Sequence, residues 1–153
     1  MKRYLLLSLL VTCLAAALLA PRVALASRVI DTRVHFTPVH IYLDSGDRPL
    51  AAYQFELKAT KGRIKIVGVE GGAHAAFKEA PYYDPAALMQ DRIIIAAFNT
   101  GRDLPTGRIR IATLHLQITG DTQPQYKLEP IVAADADGQE IPADLTLERG
   151  ANK

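Results

Sequence analysis

Four histidines, sixteen carboxylates, one cysteine and a pair of serines beyond residue 26 are the side chains of this 153-residue chain with catalytic or ligating capacity. Their spacing supports little chemistry. Ser27 and Ser45 lie outside any G-x-S-x-G elbow, which argues against a serine hydrolase. His35, His40, His74 and His115 form no H-x-x-x-H or H-E-x-x-H pair. His35 and His40 are five apart on extended chain, so they point to opposite faces and read as solvated strand histidines. A glycosidase needs two carboxyls roughly 5–10 Å apart across a cleft, and no motif singles out such a pair. "DADG", Asp135 to Gly138, looks like half a calcium loop, but the third ligand position and the distal glutamate are missing. A turn accounts for Asp137-Gly138 better. The reading is a protein that is not an enzyme, with no catalytic residue, no metal ligand and no cofactor.

Aromatic side chains are the remaining candidates, and they suggest binding. The chain has no tryptophan. Tyr42 lies on the phase opposite Ile41 and is expected to be exposed, whereas Tyr53 shares the apolar phase of its strand and is expected in the core. "PYYDPAAL", Pro81 to Leu88, holds adjacent tyrosines in a stretch stiffened by Pro81 and Pro85, which keep Ala80 and Asp84 extended. Asp84 is a candidate N-cap, with Pro85 at the first position of a short helical turn. Adjacent residues in extended chain face opposite ways. One of Tyr82 and Tyr83 should therefore plug the core together with Leu88 and Met89, and the other should be exposed. The alternative is a platform on which both rings touch a ligand. Tyr82, Tyr83 and Tyr42 are the candidate binding residues.

The elements that must position these residues are strands. "VHIYLD" (Val39 to Asp44) and "LAAYQFELKA" (Leu50 to Ala59) alternate apolar with polar, as strands with one buried face do. "RIKIVGVE" is a third strand. "DRIIIAAFN" (Asp91 to Asn99) is apolar on both phases, which predicts a central strand covered on both sides. In "GRIRIATLHLQITG" the apolar phase switches between Ile111 and Leu114, which requires a β-bulge near Ala112-Thr113. "KLEPIVAADADGQEIPADLTLE" reads as two runs joined by a type I′ hairpin turn at Asp137-Gly138. Pro130 and Pro142 belong at edges or bulges. "HAAFKEA" and "DPAALMQ" allow a helical turn or two each. The predicted class is all-β, an antiparallel jelly-roll β-sandwich of about nine strands.

The ends set the compartment. Lys2 and Arg3, the uncharged run Tyr4 to Ala20 and "ALA" at Ala24 to Ala26 predict a signal peptide over residues 1–26, cleaved before Ser27. The run is a little short for a spanning helix of about 20 residues. Cleavage removes Lys2, Arg3, Arg22 and Cys13, so the net charge moves from +2 to −1 and no thiol or disulfide remains. No basic patch calls for nucleic acid, and membrane contact is expected only through the signal segment. The predicted layout is an arm over 27–33, one domain over 34–148 and a tail over 149–153. The protein should be exported, to the periplasm or beyond the cell.

Several stretches in order resemble cohesin-type modules: "AAYQFEL" at Ala51 to Leu57, "GRIRIATLHL" at Gly107 to Leu116, and "DADGQEIP" at Asp135 to Pro142. The resemblance spans residues 34–147. It implies a nine-stranded sandwich without catalysis, related to carbohydrate-binding modules. Cohesins bind dockerins, which are duplicated calcium-binding helical modules, but no dockerin-contact residue carries over by motif. Two partner classes follow: another extracellular or envelope protein, or a polysaccharide. The scarcity of aromatics favours protein. A structural accessory domain of the envelope is the third reading.

Overall fold

A computed structural model describes residues 33–150. The predicted signal peptide, most of the predicted arm and the end of the predicted tail lie outside the described residues. Eight strands, rather than about nine, form two antiparallel sheets among those described. They are β1 (Val34–Asp44), β2 (Ala52–Lys61), β3 (Arg63–Gly71), β4 (Tyr82–Tyr83), β5 (Arg92–Phe98), β6 (Arg108–Thr119), β7 (Gln125–Ala134) and β8 (Asp144–Arg149). One sheet has the order β3-β6-β1-β8 and the other β4-β5-β2-β7. Short 3₁₀ turns at Ala75–Phe77 and Pro85–Ala87 interrupt the strands.

Alternation places the core. Val39, Ile41 and Leu43 of β1 meet Leu114, Leu116 and Ile118 of β6 on one inner face, and Tyr53, Phe55 and Leu57 of β2 meet Ile93 and Ile95 of β5 on the other. All are buried. Tyr53 is the one polar side chain at the centre of this cluster. Its hydroxyl donates to the carbonyl of Ile111 at 3.0 Å, and Phe77 from the first 3₁₀ turn packs edge-on against its ring at 5.1 Å. Burial pushes its phenol well above the ordinary tyrosine range.

The phase switch in β6 is present one residue earlier than expected. Ile41 pairs with Ala112 and Tyr42 with Arg110, so Ile111 is the extra residue. The bulge presents the Ile111 carbonyl to Tyr53, which explains why the irregularity sits there. β1 starts five residues before the "VHIYLD" pattern and runs through Pro38. The proline is tolerated because its missing N–H faces the side of β8, whose ladder ends at the Val39–Arg149 pair.

Three sequence expectations are corrected. The two runs flanking Asp137-Gly138 do not pair along their length as one hairpin: β7 joins one sheet and β8 the other, and between the runs Ala133, Ala134 and Asp135 meet Ile141, Glu140 and Gln139. The turn is not type I′. Gly138 has φ +73°, but Asp137 does not have positive φ, and the Gly138 N–H closes on the Asp135 carbonyl. This is a three-residue loop with a glycine bulge. Asp135 organises it: one carboxylate oxygen accepts the N–H groups of Asp137 and Gln139, and the other takes Arg48 at 2.6 Å. These bonds, the Gln139 N–H first, hold its carboxyl below the usual range. Met89 is the second correction. It is half-exposed rather than inward, because its φ of +66° turns the chain so that Met89 and Gln90 bond to both backbone groups of Ile66 on β3. The third concerns β5 and leads to the site.

Candidate functional site

β5 was expected to be covered on both sides; its outer side is open. Ile93 and Ile95 face the core, while Ile94 and Phe98 stay 37% and 64% exposed. β5 lies one strand in from the edge, beside the two-residue β4, and among the described residues no third layer lies over the sheet. Its apolar outer phase is therefore surface. Large exposed apolar side chains collected on one face mark interaction sites more often than scattered ones do.

The neighbouring strands extend this patch. Tyr82 of β4 pairs with Ala96, points outward at 68% exposure, and stacks on Phe98 with ring centroids 5.9 Å apart and planes 10° from parallel. Ile131, the extra residue of a bulge in β7, adds an exposed side chain near the far edge of the same sheet. Next to Tyr82 a groove of about 670 Å³ runs between β4, the turn Pro85–Ala87 and β5, lined in part by Tyr83, Ala86, Gln90 and Ile94. Its wall is fixed locally: Asp84 caps the turn by accepting the Ala86 N–H at 2.9 Å, with Pro85 at the first position. Charged pairs border the apolar stripe. Arg92 grips Glu56 with two bonds of 2.8 and 2.7 Å, and Lys127 meets Glu129 at 2.6 Å. Arg92, then Lys58 and Lys127, draw the Glu56 carboxyl below its usual range. The face thus combines an apolar centre with oriented charges, the composition of a docking surface.

The three predicted tyrosines separate. Tyr82 is exposed on this face, and Tyr83 is half-buried against the core from the adjacent position. Tyr42 lies on the outer face of the other sheet, with the Arg108 guanidinium 3.9 Å above its ring. Phe98, Ile94 and Ile131 were missed by the sequence reading. The signal for the first two was in "DRIIIAAF" itself: a strand apolar on both phases is either doubly covered or carries a sticky face.

No protein-family model matches the sequence, and no curated protein matches it. Solved structures do. A non-cellulosomal cohesin from the hyperthermophilic archaeon Archaeoglobus fulgidus aligns with a TM-score of 0.57 over 72% of this chain and 75% of its own, at 12% identity. The fold is cohesin-like. A cohesin–dockerin complex from Clostridium thermocellum contains a similar chain, with a TM-score of 0.53, 15% identity, and coverage of 74% of this chain and 84% of that one. The cohesin-like sandwich leaves both outer sheet faces free of any further layer among the described residues, and only one of them carries the aromatic stack.

Proposed function

We propose that this chain is an exported, non-catalytic module that docks another extracellular or envelope protein on the outer face of the β4-β5-β2-β7 sheet. The observation that carries the reading is the exposed Tyr82–Phe98 stack, continued by Ile94 and Ile131 on a sheet that no further layer covers among the described residues. Aromatic anchors ringed by charged pairs are what concentrates binding energy at protein interfaces. The likeness to a cohesin solved together with a dockerin supports a protein as the partner class. Export rests on the charged start, apolar run and Ala24-Leu25-Ala26. Among the described residues no helix is long and apolar enough to cross a membrane.

The test compares capture from the native cell-envelope fraction by the exported protein, by Tyr82→Ala/Phe98→Ala, and by Tyr42→Ala on the opposite sheet. Soluble envelope polysaccharides are assayed in parallel by affinity electrophoresis. A protein retained by wild type and Tyr42→Ala, and lost by at least tenfold in the double variant, supports the reading. Retention of a polysaccharide alone, lost in that double variant, would assign the face to sugar.

A further inference from the structure

A second cavity, sharing no residue with the groove, lies at one end of the sandwich. It measures about 200 Å³ and is lined by His35, Thr37, Ile118, Gln123, Arg149 and Gly150. The strand phases that build the core also build this cavity. His35 and Thr37 pair with Ile118 and Leu116, so they continue the inward phase of Val39, Ile41 and Leu43. Arg149 pairs with Val39 and likewise follows Leu145 and Leu147 on the inward phase of β8. Where the apolar core stops, the inward positions of both strands therefore turn polar.

Arg149 is held in place by neutral groups. Its guanidinium donates to the Gln123 side-chain carbonyl and, at 3.0 Å, to the Pro124 backbone carbonyl. Among the described residues it has no carboxylate partner, whereas Arg33, close in the chain to His35, pairs with Asp121. Among the described residues two of the five guanidinium N–H groups are engaged, which leaves three for a ligand. The register is pinned by Gly150, whose N–H donates to the Pro38 carbonyl at 2.9 Å. A Cβ there would stand 2.7 Å from the Pro38 ring and 2.8 Å from His40 Nε2, so only glycine allows this approach. The Tyr126 hydroxyl is buried without a hydrogen-bond partner among the described residues.

We infer that this end cavity is a binding site for a small carboxylate, gripped by the Arg149 guanidinium, with the Thr37 hydroxyl and His35 ring beside it and Ile118 as the apolar wall. One fixed positive charge matches a monoanion. A dianion would bring a second negative charge with no partner, which costs desolvation without return. The carboxylate comes either from a free small acid or from the end of a peptide; the two share this chemistry and differ in what fills the rest of the cavity.

The test is an NMR titration of the exported protein at constant ionic strength, reading amide shifts at His35, Thr37, Gly150 and Tyr126. The probes are acetate, N-acetylglycine, N-acetylglycinamide and inorganic phosphate. Saturable shifts with both carboxylates, with dissociation constants on the order of millimolar, are expected, and none with the amide. N-acetylglycine binding at least threefold tighter than acetate assigns the site to peptide ends; equal affinity assigns it to free acids. Arg149→Gln should abolish saturation, and Arg149→Lys should weaken it about tenfold, because the fork is lost while the charge is kept. Absence of saturable shifts in the wild type overturns the inference, as does phosphate or the amide binding as well as acetate.

Discussion

Tyr82 and Tyr83 are neighbours in sequence and opposites in consequence. Replacing each by alanine removes the same atoms from the same two-residue strand, so any loss of strand propensity is common to both. The difference is burial. An aromatic side chain buries 150–250 Å² when fully covered. Tyr82 is 68% exposed, so about a third of that area is shielded, chiefly by Phe98. At about 25 cal/mol per Å² its removal costs about 1–2 kcal/mol. Most of the Tyr83 ring is covered by the core, and the same coefficient gives about 3 kcal/mol, in the range of large-to-small core substitutions. The gap of about 1–2 kcal/mol corresponds to a melting-temperature difference of roughly 3–10 °C for a domain of this size. Urea and thermal unfolding followed by circular dichroism measure it directly, with Phe98→Ala expected to behave like Tyr82→Ala. Equal losses at Tyr82 and Tyr83 would refute the division into a plug and an exposed anchor. So would a larger loss at Tyr82.

Other outcomes follow from single features. Gly138→Val should cost about 1–2 kcal/mol in chemical denaturation. The site is sterically open, so the whole cost comes from φ +73°, and an unchanged midpoint would mean that the loop relaxes to another turn. Tyr53 must remain neutral in the folded state. Its phenol is raised by burial, so its contribution is present in full below the ordinary tyrosine value near pH 10 and is lost as the pH climbs beyond it. Tyr53→Phe should flatten that alkaline decline, measured as melting temperature against pH, and an identical decline in the variant would contradict the assignment. Chelator should leave the melting temperature within a degree, because the Asp135 carboxylate is already satisfied by two backbone N–H groups and Arg48; a large drop would restore "DADG" as an ion site.

Strand positions were readable wherever one face is buried and the other wet, as in "YQFEL", because burial imprints a period of two on the sequence. The 3₁₀ turn after Asp84 was readable from its cap and proline. Sheet membership was not. The runs flanking Asp137-Gly138 look like a hairpin locally, yet Pro142 and the turn send the second run to pair with β1. β4 is two residues long, too short to show any period. Pro38 hid the first half of β1, since only the three-dimensional ladder reveals that its missing N–H falls beyond the last β1–β8 pair. For the candidate site, Tyr82 stood out through its loop, while Phe98 and Ile94 were assigned to the interior. Alternation reports how many faces are apolar; whether a layer covers the second face depends on strands far away in sequence. Ile131 is exposed at a bulge, which composition does not mark.

Hydrogen–deuterium exchange on the protein bound to its captured partner tests the docking face most directly. New protection should concentrate on β4, β5 and β2, around Tyr82 to Phe98 and Ala52 to Lys58, and on β7 near Ile131, while the outer face of β3, β6 and β1 exchanges as in the free protein. Protection confined to β3, β6 and β1, with β4 and β5 unchanged, would contradict the account.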